Sequence, residues 1–152
     1  MEKKLRELGL ELPEPTKPVA AYVPTVRVGN LVFCSGQICT VKGELAFKGK
    51  VGAELSVSEG YEAARIAVLN CLSAIVNEIG SPDRIVRIVK LTGWVNSVSG
   101  FVEQPFVING ASELLEKIFG DKGKHTRVAI SANGLPLDSP VEIDMIVEVE
   151  TP

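Results

Sequence analysis

The stretch SVSEGYEAARIAVLNCLSAIVNEIGSPDRIVRIVKLTGWV, residues 56–95, decides the fold. Its first half reads as a helix. Ser56 followed by Glu59 is a capping box, in which the serine hydroxyl and the glutamate carboxylate each satisfy a backbone N–H of the first turn. Tyr61, Ala64, Val68, Leu72, Ile75, Val76 and Ile79 then recur at helical spacing, and Gly80 with Pro82 ends the run. The period changes from Arg84 to Val95. Ile85, Val89 and Leu91 alternate with Val86, Ile88 and Trp94, which predicts a strand covered on both sides or packed at an interface. A long helix between strands requires a crossover, so the sheet is mixed.

Further strands flank this unit. Before it, Val19–Val23, Val26–Val28 and Leu31–Ser35 are apolar runs, and Gly29-Asn30 is a hairpin signal because both residues tolerate positive φ. Residues 1–15 open with an amphipathic segment (Leu5, Leu8, Leu10) that ends at Pro13 and Pro15, read as a short helix and an extended entry. Lys42-Gly43-Glu44 and Lys48-Gly49-Lys50 read as turns. After it, Glu103–Phe119 predicts a second helix with Phe106, Leu114, Leu115, Ile118 and Phe119 as its apolar stripe. Gly110 falls inside that helix, where a glycine costs about 1 kcal/mol relative to alanine. Thr126–Ser131 is a short strand. In the last, Val141, Ile143, Met145, Val147 and Val149 face one side and Glu142, Asp144 and Glu148 the other. The expected architecture is an α/β (α+β) mixed sheet with both helices on one face. The opposite face is half apolar, which marks a partner interface.

Composition narrows the chemistry. The 152 residues suit one domain, expected over 19–152 after an N-terminal extension at 1–18. A net charge of −3 and 5% aromatic content make nucleic acid an unlikely partner, since phosphate binding rests on Lys and Arg. No apolar run is long enough to span a membrane, and the charged N-terminus lacks a signal-peptide pattern, so the expected compartment is the cytoplasm. One His and three Cys lack metal-site spacing, and no phosphate-binding loop or nucleophile elbow occurs; neither metal nor cofactor is expected. His125 reads as a solvated turn residue and Cys34, Cys39 and Cys71 as reduced, mostly buried thiols.

Arg127 and Glu142 are the polar residues of interest. Arg127 shares its strand face with Ala129 and Ser131. An arginine fork grips a carboxylate with two parallel hydrogen bonds. Glu142, taken to lie on a hairpin partner strand, can orient a water. Spacing leaves open the alternative that the two merely pair across the sheet.

The segment Tyr22–Ile38, with Gly29-Asn30 and Ser35-Gly36-Gln37, resembles the opening of the RidA/YjgF family of reactive-intermediate imine deaminases, also called the endoribonuclease L-PSP family. Arg127, Ile130, Leu135-Pro136 and Val141-Glu142-Ile143-Asp144 are similar, in the same order, to that family's C-terminal signature. Gln104–Ser112, with Phe119-Gly120 and His125, resembles a longer, less characterised subgroup. The resemblance covers residues 19 to 150 and implies a chorismate-mutase-like fold assembled as a homotrimer with clefts between subunits. It further implies hydrolysis of 2-imino acids or their enamines to 2-oxo acids and ammonia, as in 2-iminobutanoate/2-iminopropanoate deaminases. Arg127 then matches the carboxylate anchor and Glu142 the water-holding group. Tyr22, Ser35, Gly36, Asn109, Ala129 and Pro136 match other substrate-contacting positions. Ala129 departs from the family, which often has Cys there. Trp94 and the N-terminal extension bear on the shape of the cleft. The alternatives are a 2-oxo acid binding or regulatory protein without turnover, and an endoribonuclease or translation inhibitor.

Overall fold

The computed structural model describes residues 1–15, 17 and 20–151. In chain order the elements are α1 (Glu2–Glu7), β1 (Thr25–Val28), β2 (Leu31–Ile38), β3 (Thr40–Val41), β4 (Glu44–Leu45), α2 (Val57–Ile79), β5 (Ile85–Asn96), α3 (Gln104–Phe119), β6 (Thr126–Ala132) and β7 (Val141–Val149). The main sheet has the order β1-β2-β7-β5-β6, and β3 and β4 form a separate small hairpin. β5 and β6 run parallel, joined by the α3 crossover, and the other neighbours in the main sheet are antiparallel. The chain is therefore the expected α+β mixed sheet. No helix among the described residues is long and apolar enough to cross a membrane.

Local sequence accounts for most of this frame. Ser56 Oγ accepts from the Glu59 amide at 3.1 Å and the Glu59 carboxylate accepts from the Ser56 amide at 2.8 Å, so the capping box starts α2. Gly80, at φ 79°, closes it in the left-handed conformation. Gly29 at φ 61° turns β1 into β2. On β7, Val141, Ile143, Met145, Val147 and Val149 are all buried against the helices, as their spacing predicts. Leu5, in α1, is only 3% exposed and joins the same core. Residues 20–23, the described part of the expected first apolar run, form bends and irregular chain rather than a strand, and Val19 and Pro18, at the expected domain boundary, lie outside the described residues.

Two elements differ from the sequence pattern. Ile85, Ile88 and Leu91 are all buried on β5, so simple alternation does not assign its faces. The register against β7 shifts between Ile85 and Arg87 and again between Ile88 and Lys90. Each shift adds a residue to β5 and returns the next apolar side chain to the core. On α3, Phe106 is 60% exposed, whereas Val107, Ile108, Ala111, Leu114, Leu115 and Ile118 form the buried stripe. A residue next to that stripe is rotated about 100° off its centre. The open face of the sheet carries the exposed apolar residues Val26, Phe33, Val128 and Ile130.

Gly110 explains its own presence in a helix. A Cβ there would overlap the backbone carbonyl of Tyr61 on α2, so the two helices approach backbone to backbone. Alanine would gain about 1 kcal/mol in helix propensity, but overpacking against rigid backbone typically costs about 1–3 kcal/mol. Gly110→Ala is accordingly expected to be net destabilising. Urea unfolding measures this, and a midpoint at or above that of the wild type refutes the close approach.

Candidate functional site

The Arg127 cluster forms where α3 crosses the β6 edge of the sheet. Arg127 lies opposite Leu91 of β5 and Ala129 opposite Gly93, so both project toward the helices. Arg127 Nη1 donates to Asn109 Oδ1 at 2.8 Å and to Ser112 Oγ at 3.2 Å. Asn109 and Ser112 are one helical turn apart and share a face of α3. His125, two residues before Arg127, completes the group through a 2.9 Å contact between its Nε2 and Ser112 Oγ. These four residues, with Glu113, Glu116, Gly123 and Lys124, line an open cleft of about 330 Å³. Both hydrogen bonds from the guanidinium to described residues fall on Nη1, and Arg127 itself lines the cleft. Burial lowers the Arg127 pKa and also that of His125, where the Gly123 carbonyl opposes the fall and the Arg127 charge adds to it.

A second cluster lies on the open face. β2 carries a bulge: Cys34 pairs with Met145 but Gln37 pairs with Ile143, so one extra residue lies between them. The bulge turns Gly36 toward Glu142, close enough that a Cβ at Gly36 would overlap the Glu142 carboxylate. Glu142 also lies opposite Trp94 of β5. Trp94 Nε1 donates to Asp144 Oδ2 at 3.3 Å. Burial raises the Glu142 pKa above the ordinary carboxylate range, and the Asp144 charge adds to the rise.

The expected site residues therefore divide. Arg127 and Ala129 lie under α3, which carries Asn109, whereas Gly36 and Glu142 meet on the other face of the sheet. Ser35 donates its hydroxyl to the Val23 carbonyl at 2.7 Å, which ties down the segment carrying Tyr22. Tyr22 itself is 53% exposed. Pro136 begins an exposed turn, Pro136–Asp138, between β6 and β7. Glu142 is not on a hairpin partner of Arg127, because β5 lies between β6 and β7. Nor do the two pair across the sheet, since alternation sends them to opposite faces.

Two members of the hydrogen-bonded cluster around Arg127 escaped the sequence reading. His125 is half-buried and hydrogen-bonded rather than a solvated turn residue, and Ser112 was not singled out as a site residue at all. The available signal was the pair of spacings: Asn109 with Ser112 on one helix face, and His125 two residues before Arg127 at the entry to β6. Cys34, Cys39 and Cys71 are buried free thiols, as expected, and burial pushes the Cys71 thiol well up, away from reactivity.

A mixed sheet with its helices on one face and an arginine-centred cleft at its parallel edge places the chain in the chorismate-mutase-like class of α+β proteins. More particularly, the chain belongs to the family described as "YjgF/chorismate_mutase-like, putative endoribonuclease", whose model matches residues 2–149. The Trypanosoma cruzi protein TCP17 is 39% identical over 146 residues, covering 95% of this chain and 91% of its own. The Agrobacterium tumefaciens protein Atu1372 has a crystal structure that superposes with a TM-score of 0.90 at 40% identity, covering 97% of this chain and 90% of its own. A candidate endoribonuclease from Shewanella oneidensis superposes at 0.94 with 36% identity, over 97% and 98% of the two chains.

The Glu142 environment has a measurable consequence. A carboxyl whose folded-state pKa is raised destabilises the folded state at pH values above that pKa, and the penalty vanishes below the unfolded value of about 4.3. Glu142→Gln is therefore expected to raise Tm at pH 7 by about 1–3 °C, with the gain disappearing by about pH 4. Thermal melts across that range check it. A gain that persists at low pH would remove the electrostatic cause.

Proposed function

We propose that the chain hydrolyses 2-imino acids, or their enamine tautomers, to 2-oxo acids and ammonia. The observation that carries the reading is Arg127, which lines the cleft and is tethered through Nη1 by Asn109 and Ser112. A planar fork so placed suits a substrate carboxylate. Family membership supports the reading, because the motifs around Arg127 and Glu142 resemble those of imine deaminases. Imine hydrolysis is intrinsically easy, so positioning and electrostatics can supply much of the acceleration. No cofactor is required.

In this proposal the water is oriented by Glu142, whose raised pKa fits a partly desolvated carboxylate beside a reaction cleft. Arg127 and Glu142 of one copy face away from each other, so the working site joins the Arg127 edge of one subunit to the Gly36–Glu142 face of the next. A homotrimer of that kind would also cover the exposed Phe33, Val128 and Ile130. Binding of 2-oxo acids without turnover needs Arg127 but not Glu142. An RNA-cleaving role is disfavoured by Glu142, Asp144 and Glu148 on the open face, because they repel phosphates.

Imine generated in situ by an amino-acid oxidase, with semicarbazide trapping the remainder, measures the activity. Arg127→Ala and Glu142→Ala are each expected to lose it. Unfolded together in equal amounts and reassembled, the two inactive variants should recover about a quarter of wild-type activity, since each cleft draws independently on two subunits. No recovery would place both residues in one copy. An inactive wild type across small, branched and aromatic imines would leave an oxo-acid binding protein.

A further inference from the structure

Ser112 and His125 form a polarised hydrogen-bond chain beside Arg127. His125 Nδ1 contacts the Gly123 carbonyl oxygen at 2.6 Å, and a carbonyl only accepts, so Nδ1 carries the proton. In the neutral ring, Nε2 is then bare and faces Ser112. Arg127 Nη1 only donates, so Ser112 Oγ accepts from it and gives its own proton to His125 at 2.9 Å. Every link has one direction, from guanidinium to hydroxyl to imidazole to backbone. The carbonyl that fixes the tautomer belongs to Gly123, which is buried against α3. The charged groups around the ring are Arg127 from β6, Glu113 and Glu116 from α3, and Lys124 beside it.

We propose that Ser112, backed by His125, relays the proton that imine hydrolysis must move from oxygen to nitrogen. The inference rests on the reaction proposed above and adds residues to it. After water adds to the imine carbon, the intermediate carries one hydroxyl and one amino group. Its collapse transfers the hydroxyl proton to nitrogen, breaks the carbon–nitrogen bond with the electron pair leaving on ammonia, and forms the carbonyl. The imine nitrogen is one carbon away from the carboxylate that Arg127 holds, and Ser112 Oγ lies 3.2 Å from Arg127 Nη1. Ser112 takes the hydroxyl proton as its own passes to Nε2. The imidazolium then returns a proton through Ser112 to the nitrogen, so the enzyme ends as it began. Burial and the nearby Arg127 charge lower the His125 pKa, which favours the neutral ring that can accept a proton.

The experiment compares kcat, KM and their pH dependence in the imine assay for the wild type, Ser112→Ala, Ser112→Thr, His125→Gln and the double variant Ser112→Ala/His125→Gln. Ser112→Ala and His125→Gln should each lower kcat about 100-fold, the low end of what a positioned acid–base group supplies. KM should change less than about threefold in His125→Gln, whereas Ser112→Ala, which also removes an acceptor from Arg127, raises KM in addition to lowering kcat. The double variant should be no slower than the worse single, as for residues acting as one unit. Ser112→Thr, which keeps the hydroxyl, should recover most of the rate. The wild-type acid limb assigned to His125 lies below about pH 6.5 and should be absent from both single variants, whereas a limb set by Glu142 survives in them. Circular dichroism establishes that each variant is folded. Variants that are folded, rise in KM alone and keep the wild-type pH profile would reduce the pair to a brace for Arg127 and overturn the relay. The deamination reading would survive that result. An inactive wild type would overturn both.

Discussion

Side chains alternate across a strand, and that constraint governs how this chain can build a site. Arg127 on β6 points under α3, and Glu142 on β7 points away from it. No rotamer change brings the two together through an intervening strand whose core side is filled by Leu91 and Val95. Any chemistry that uses both must draw them from two copies. The exposed apolar residues of the open face fit the same requirement, since a sheet with one wet, half-apolar side is stabilised by a second surface.

Within one copy, the helices set the polar geometry. α2 is pinned at both ends by its capping box and by Gly80, and Gly110 lets α3 settle against it. Gly93 removes a side chain beneath Ile108, so α3 also lies close to β5. Asn109 and Ser112 are thereby held over β6, where they meet Arg127. Two acceptors on one nitrogen fix how the Arg127 guanidinium sits in the cleft.

Much of this was legible in the residues. The capping box, the Gly29-Asn30 turn and the alternation of Val141–Val149 are local signals, and each produced the expected element. β5 was harder. Its two register shifts depend on how it meets β7, and a single strand carries no record of its partner's spacing. Phe106 was misplaced for a similar reason: several stripes on α3 satisfy helical spacing, and only packing against Gly93 and α2 selects the one containing Ile108 and Ala111. His125 sits in a polar run that reads as solvent-facing until Gly123 folds back against α3.

The sequence by itself determined the order of helices and strands, the family, and the two residue types on which a carboxylate-handling site would rest. It could do so because caps, turns and periodicity act over a few residues, and because the motifs occur in a recognisable order. The tertiary structure alone decided which polar groups meet. It separated Glu142 from Arg127, joined Gly36 to Glu142 through a bulge, and assembled Asn109, Ser112 and His125 around the guanidinium. Those outcomes depend on strand order and helix docking, which bring together residues far apart along the chain, and no local pattern encodes that distance.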